Sequence, residues 1–298
     1  MTVPRQRRAE LALVAITFVW GATFVVVKAA LQDSSTLLFL ALRFTLATVA
    51  LTIAFRPLPS RFDKTKPILT GGVLVGVFLF AGYLLQTVGL RYTTPSKSAF
   101  LTGLCVVMVP VFSALAGRRL PGASEALGVA TATTGMALLT LRGASLKMEL
   151  GDLLTLGCAA AFSIHIILLG RFAARLGFQA LALTQIATAA VLALSTFWWV
   201  ERPTVRWTPS LIAAILITGL IATAVAFSVQ SWAQQYTTPT RTALILAMEP
   251  VFAWLTSFVV AGEVLAPRAA LGAVLILAGI LLVELRPWGR PAASHQPL

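Results

Sequence analysis

Apolar stretches long enough to cross a bilayer follow one another along almost the whole chain, at roughly 11–31, 37–55, 68–90, 97–116, 124–141, 152–170, 180–200, 210–231, 241–260 and 268–285. A run of about 20 apolar residues is what a spanning helix needs. In hydrocarbon every backbone donor and acceptor must be satisfied within the segment or by a closed barrel. The alternation of a barrel strand is absent here, so the expected fold is an all-α integral membrane protein with ten transmembrane helices. Composition agrees: 58% of the 298 residues are hydrophobic and only 11% charged, whereas soluble chains carry about a quarter charged residues. Such a chain cannot cover its surface with polar groups, so that surface faces lipid.

The breaks between stretches carry stop chemistry. Arg56-Pro57-Leu58-Pro59, Arg118-Arg119-Leu120-Pro121-Gly122, Arg202-Pro203 and Trp207-Thr208-Pro209 all fall between spans. Proline ends helices and arginine marks the water boundary. Arg5, Arg7 and Arg8 precede the first span, which is longer than a signal h-region and lacks a small-x-small cleavage site. Most Lys and Arg fall on the N-terminal side of the membrane, including Arg61, Lys64, Lys66, Arg171 and Arg175. The positive-inside bias places both termini in the cytoplasm. The net charge of +13 is dispersed over short connections, without a basic helix or aromatic–basic RNA motif, so nucleic acid is not an expected partner. The lipid bilayer is.

The chain is also internally repeated. Tyr92-Thr93-Thr94-Pro95 recurs as Tyr236-Thr237-Thr238-Pro239, 144 residues later, and the register extends from Gln86/Gln230 through Lys97/Arg241 to Gly128/Gly272 and Gly135/Gly279. Two halves are expected, 1–142 and 143–298. Five spans is an odd number, so the second half enters the membrane inverted. Inverted repeats are a transporter architecture with a substrate site near the midplane. Met108-Val109-Pro110 and Met248-Glu249-Pro250 suggest a local offset of 140, with Glu249 lacking a counterpart. Pro95, Pro110, Pro239 and Pro250 are the expected pivots.

Ten spans in two halves, Trp20-Gly21-Ala22-Thr23-Phe24, Arg43-Phe44, Phe100-Leu101-Thr102-Gly103-Leu104, Val109-Pro110, Glu249-Pro250 and Gly262-Glu263 together resemble the drug/metabolite transporter superfamily, EamA type, over nearly the whole length. Within it the chain looks most like the bacterial aromatic-amino-acid exporters. The resemblance implies a secondary transporter of the bacterial inner membrane working by alternating access. Members often carry Gly-Glu after span 4 as well, whereas this chain has Gly117-Arg118-Arg119, so no role transfers to that glutamate.

Ionisable residues within spans are costly and point to function. Glu249 suits a substrate ammonium or a coupling proton, and equally a structural acceptor beside Pro250. His165 can line a cavity or serve as a satisfied interior residue. Arg43 can hold a carboxylate bidentately or form a structural ion pair, with Glu249 as a candidate partner. Lys28 sits near a span end, where it can snorkel. Trp20, Tyr83 and Trp232 are mid-span aromatics able to stack on a flat substrate or pack against lipid. Gln86 and Gln230 supply uncharged donors and acceptors. Trp198, Trp199, Trp207 and Trp288 are expected interfacial anchors. Gly72 and Gly76 permit close helix crossings. Cys105 and Cys158 read as packing residues.

No metal site is expected, because the only other histidine, His295, lies in the tail. No cofactor motif, Walker loop or hydrolase signature occurs, and no enzyme activity is expected. The expected cargo is a small metabolite, foremost an aromatic amino acid. Small polar amino acids, purine-type metabolites and cationic drugs are the alternatives, with a membrane-embedded enzyme or a channel more remote. Either a monomer or a homodimer is compatible with the sequence.

Overall fold

A computed structural model describes residues 3–55, 65–93, 95–117, 122–140, 149–173, 175–261 and 266–284. Thr94, the 56–59 and 118–121 breaks, Gly262-Glu263 and the tail with Trp288 and His295 lie outside the described residues. The described chain is helical throughout. Its helices are α1 (Val3–Ala30), α2 (Thr36–Ala54), α3 (Thr65–Tyr92), α4 (Pro95–Gly103), α5 (Cys105–Leu115), α6 (Ala123–Thr140) and α7 (Leu150–Ala173). They continue as α8 (Phe178–Thr196), α9 (Pro209–Leu216), α10 (Ala226–Ala233), α11 (Pro239–Leu246), α12 (Glu249–Ala261) and α13 (Pro267–Glu284). A π-helical segment, Ile217–Val225, joins α9 to α10.

Seven segments among the described residues are long and apolar enough to cross a membrane. The other three expected spans fall short for different reasons. α6 is diluted by Ser, Glu, Gly and Thr. The α11–α12 stretch is interrupted at Ala247–Met248. Among the described side chains of α13 the apolar stretch is Ala270–Leu282. The buried core is a set of helix–helix seams, with small residues where backbones meet.

Two helices break beside the core. The Leu104 N–H reaches back three residues to the Leu101 carbonyl, and Met248 likewise to Ile245. These are tightened turns of 3₁₀ type. The breaks preserve the 144-residue offset, Gly103-Leu104-Cys105 matching Ala247-Met248-Glu249. The 140 offset suggested by the Met-x-Pro similarity is therefore corrected, and Glu249 has Cys105 as its counterpart. Neither break falls on a pivot proline. Pro110 lies inside α5 and Pro250 is the second residue of α12. Pro239 opens α11, where the Thr238 hydroxyl accepts from the Arg241 N–H at 3.3 Å, and Pro95 opens α4.

The packing follows a pattern of exchange. Helix α3 packs on α7 and α8, while the α9–α10 segment packs on α1 and α2. Helices α4 and α5 lie against α7, and α11 and α12 against α1. Helix α6 pairs with α13 through reciprocal glycines. A Cβ on Gly135 would sit 2.5 Å from the Gly272 carbonyl oxygen, and one on Gly279 would sit 2.6 Å from that of Gly128. Gly72 and Gly76 face Thr184, Gln185 and Thr188 of α8 with no room for a side chain.

The two Tyr-Thr-Thr-Pro copies lie at opposite ends of the bundle. Thr93 meets Lys28, near the end of α1, and Arg241 meets Glu10, near its start. At the Thr93 end, the Lys28 ammonium donates to the Leu90 and Thr93 carbonyls. It thus caps α3 instead of snorkelling, a favourable place for a cation at a helix C-terminus. Arg91 bonds Thr36, Leu31 and Ser34. Glu201 accepts from the Leu37 and Leu38 N–H groups at 2.6 and 3.0 Å, two donors that the start of α2 leaves open. Asp33 pairs with Arg206 and accepts from Thr208, beside an isolated Ser34–Val205 bridge. The Thr208 and Arg206 hydrogen bonds hold the Asp33 carboxyl below the ordinary aspartate range. Trp198, Trp199 and Trp207 are exposed near this end, as expected of anchors.

Candidate functional site

The helix breaks flank a cavity of about 80 Å³, lined from α1, α2, α3, α4, α5, α7, α10, α11 and α12. Trp20, Arg43, Tyr83, Gln86, His165, Gln230 and Glu249 all line it. Trp232 does not. Residues two apart on a helix do not share a face, so Gln230 in the cavity sends Trp232 away from it. Its ring packs on Tyr236 in the seam between α1 and α10.

Arg43 is 3% exposed and is held by hydroxyls. Its Nε donates to Thr223 Oγ1 at 2.6 Å, an Nη donates to the Tyr83 hydroxyl at 3.1 Å, and its guanidinium carbon lies 4.4 Å from the Tyr83 ring centroid. The Arg43–Glu249 ion pair considered from sequence is not formed. Thr223 is presented by the π-helical segment, and its own hydroxyl donates to the Thr218 carbonyl five residues back. The same segment offers the Ala222 carbonyl to the Trp20 indole N–H at 2.8 Å. The local winding therefore orients two cavity residues from the facing helices, a frequent use of π turns.

Tyr83 makes edge contacts with Phe44, Phe162 and Phe227, and Trp20 leans on Phe227. The result is an aromatic wall. His165, 1% exposed, stands edge-on to Phe162 and Phe227. Its Nε2 lies 2.8 Å from Gln185 Oε1, Gln185 Nε2 donates to Ser231, and Ser231 donates to the Phe227 carbonyl. With the amide oriented so, Nε2 carries the proton and Nδ1 remains an acceptor. On the other side Gln86 Nε2 donates to Thr102 at 3.2 Å, and the Cys105 thiol to the Ala159 carbonyl.

Two groups facing the cavity lack protein partners. Gln230 Oε1 is buried with no hydrogen bond. Glu249 is half-buried, and no described donor lies within bonding distance of its carboxylate. A guanidinium, Arg43, and a carboxyl group, Glu249, thus face one small cavity with an aromatic wall. Among the described residues no cluster of His, Cys, Asp or Glu is able to hold a metal ion.

Phe162, Phe227, Cys105, Gln185, Thr223 and Ser231 escape a reading of the sequence residue by residue. The repeat register signals two of them, because Phe227 is the counterpart of Tyr83 and Cys105 that of Glu249. Gln185 is signalled by being an amide inside a span.

The EamA-like transporter family model matches residues 7–141 and again 149–285. An uncharacterized transporter of Archaeoglobus fulgidus is 35% identical over 279 residues, covering 93% of this chain and 86% of the relative. The inner membrane transporter YedA of Escherichia coli is 26% identical over 288 residues, covering 94% and 92%. A probable terminal-alkyne amino-acid exporter of Streptantibioticus cattleyicolor is 25% identical over 300 residues, covering 97% and 98%. One solved crystal structure shares the fold with a TM-score of 0.77 at 21% identity, over 93% of this chain and 98% of the other.

Proposed function

Because the chain belongs to the EamA-like transporter family, and is therefore a multi-pass membrane transporter, we propose that it exports amino acids with apolar side chains by alternating access. The observation that carries this reading is the pairing of a buried guanidinium and an unpartnered carboxylate across one aromatic-walled cavity. Such a site complements a zwitterion. Arg43 and Tyr83 meet the carboxylate, Glu249 and Gln230 Oε1 meet the ammonium, and Trp20, Phe162 and Phe227 meet the side chain. Aromatic amino acids are the foremost cargo. Glu249, when no ammonium occupies the site, is the group to carry a coupling proton.

A second reading concerns side-chain size. About 80 Å³ is roughly half of the ~150 Å³ of an apolar cavity that accepts a benzene ring. That favours small or unbranched side chains, in keeping with the exporter from Streptantibioticus. An aromatic ring enters only if the aromatic wall opens.

The proposed architecture is ten crossings in two inverted halves, 1–142 and 143–298, with both termini cytoplasmic at the bacterial inner membrane. The exchange pattern of packing, the reciprocal glycines and the preserved 144-residue offset of the helix breaks support it. The test is counterflow in proteoliposomes against a panel of unlabelled amino acids. Competition by phenylalanine or tryptophan fits the aromatic reading, and competition by small aliphatic amino acids alone fits the second. Failure of every amino acid to compete rejects both. For proton coupling, Glu249→Gln must abolish the pH dependence of flux.

A further inference from the structure

Four buried polar atoms without a hydrogen-bond partner follow one another along a single stretch of the chain: Gln230 Oε1, Gln234 Oε1, Thr237 Oγ1 and Thr242 Oγ1. They lie on α10, on α11 and on the turn between, from the cavity towards the end where Arg241 meets Glu10 at 3.1 Å. From this arrangement we infer that Gln234, Thr237 and Thr242 line the route by which a polar, hydrogen-bonding solute passes between the cavity and the N-terminal end of the bundle, and that Arg241–Glu10 closes its mouth.

A buried acceptor or hydroxyl with no partner is costly, and natural structures tolerate few of them. Four along a single stretch are tolerated where water or a polar solute meets them. The stretch faces α7. Gly170 permits that approach, since a Cβ there would lie 3.1 Å from Pro239 Cγ and 3.3 Å from Gln234 Nε2. Gln234 Nε2 is already engaged by the Ile166 carbonyl at 2.9 Å, which leaves its oxygen for a passing donor.

The other end is built differently at the matching positions. Leu90 stands where Gln234 stands, at the 144-residue offset, and Phe24, Val27 and Leu90 make that side of the cavity apolar. Ser98, the counterpart of Thr242, is likewise unpartnered, but no amide joins it to the cavity. The closing groups there, Lys28, Arg91 and Glu201, spend their hydrogen bonds on backbone and hydroxyl partners of neighbouring helices. At one end the charged side chains are satisfied and Ser98 alone is left over, while the other gathers four unsatisfied atoms.

The inference rests on the cavity being the substrate site, yet its test needs no substrate. Single cysteines are placed at Gln234→Cys, Thr242→Cys and, as the control, at Leu211→Cys, buried in a seam away from the cavity, in a Cys105→Ser, Cys158→Ser background. They are reacted in vesicles with a membrane-impermeant cationic thiosulfonate. The two route positions should react about tenfold faster than the control, and Arg241→Gln should raise their rate further. Rates no faster than that of Leu211→Cys in monodisperse protein overturn the inference. Hydroxyl-radical footprinting of the unmodified protein probes the same route without relying on the folding of the cysteine variants. With each rate divided by the intrinsic reactivity of its residue type, Ile166 and Pro239 should oxidise faster than Phe24 and Val27, and the reverse order overturns the inference. A negative counterflow panel leaves both results readable.

Discussion

Gly21 lies where α1 crosses the start of α12, and replacing it by alanine tests how the carboxylate site is held. A Cβ there would stand 2.6 Å from the Glu249 carbonyl oxygen, 2.9 Å from the Ala253 nitrogen and 3.0 Å from Phe252 Cβ. Two of these are backbone atoms, so no side chain can swing aside. To restore ordinary contact, α1 and α12 must separate by roughly 0.8 Å. Overpacking of this kind costs about 1–3 kcal/mol, against a gain of about 1 kcal/mol from alanine's helix propensity. The net change for Gly21→Ala is then about 0–2 kcal/mol of destabilisation. Gly157→Ala in α7 is the matched control. Its Cβ would meet only the flexible Leu85 Cδ1 at 3.3 Å, so the propensity gain of about 1 kcal/mol survives. Thermal unfolding in detergent, followed by a thiol-reactive fluorophore that reports exposure of buried Cys105 and Cys158, should rank Gly157→Ala above the parent and Gly21→Ala below it. Gly21→Ala should also weaken substrate affinity, because the displaced backbone carries Glu249. Equal unfolding temperatures for the two variants would refute the close crossing.

Arg43→Lys should impair counterflow nearly as much as Arg43→Gln, since an ammonium cannot span Thr223 and Tyr83 together while stacking on the ring. Thr223→Val removes the acceptor for a buried charged donor and should cost about 1.5–3 kcal/mol of stability, measured by the same unfolding assay. The Asp33 carboxyl is depressed by Thr208 and Arg206, so its contribution is fully present above the ordinary value of 3.8 and is lost as pH falls through the lowered one. Asp33→Asn should therefore leave the unfolding temperature equally insensitive to pH between neutrality and about pH 5, while lowering it throughout that range.

Much of the cavity is legible in the sequence because hydrocarbon makes polar residues conspicuous. Arg43, His165, Gln86, Gln230 and Glu249 stand out in apolar runs, and each lines the cavity. Trp232 is misplaced for lack of phase information. An aromatic residue inside a span has no preferred side until the helix is oriented, and its spacing of two from Gln230 decides against it. The π-helical winding at Ile217–Val225 leaves no trace in composition, since its Thr, Ala and Ile suit either winding. Lys28 is legible as a structural residue near a span end, but the α3 carbonyls it caps are tertiary neighbours that its own span does not reveal. The 140-residue offset misleads because identical Met and Pro letters outweigh the helix breaks, which no residue type marks unambiguously.

The glycine joint between α6 and α13 bears on how the chain matures. The principal neighbour of α6 is α13, the last of the described helices in chain order. Until α13 leaves the ribosome and inserts, the narrow faces around Gly128 and Gly135 have lipid for company. Those faces, cut for backbone contact, offer lipid little to grip. Truncation before Pro267 should thus leave a vacant docking groove in the first half, and degradation by membrane proteases should begin there.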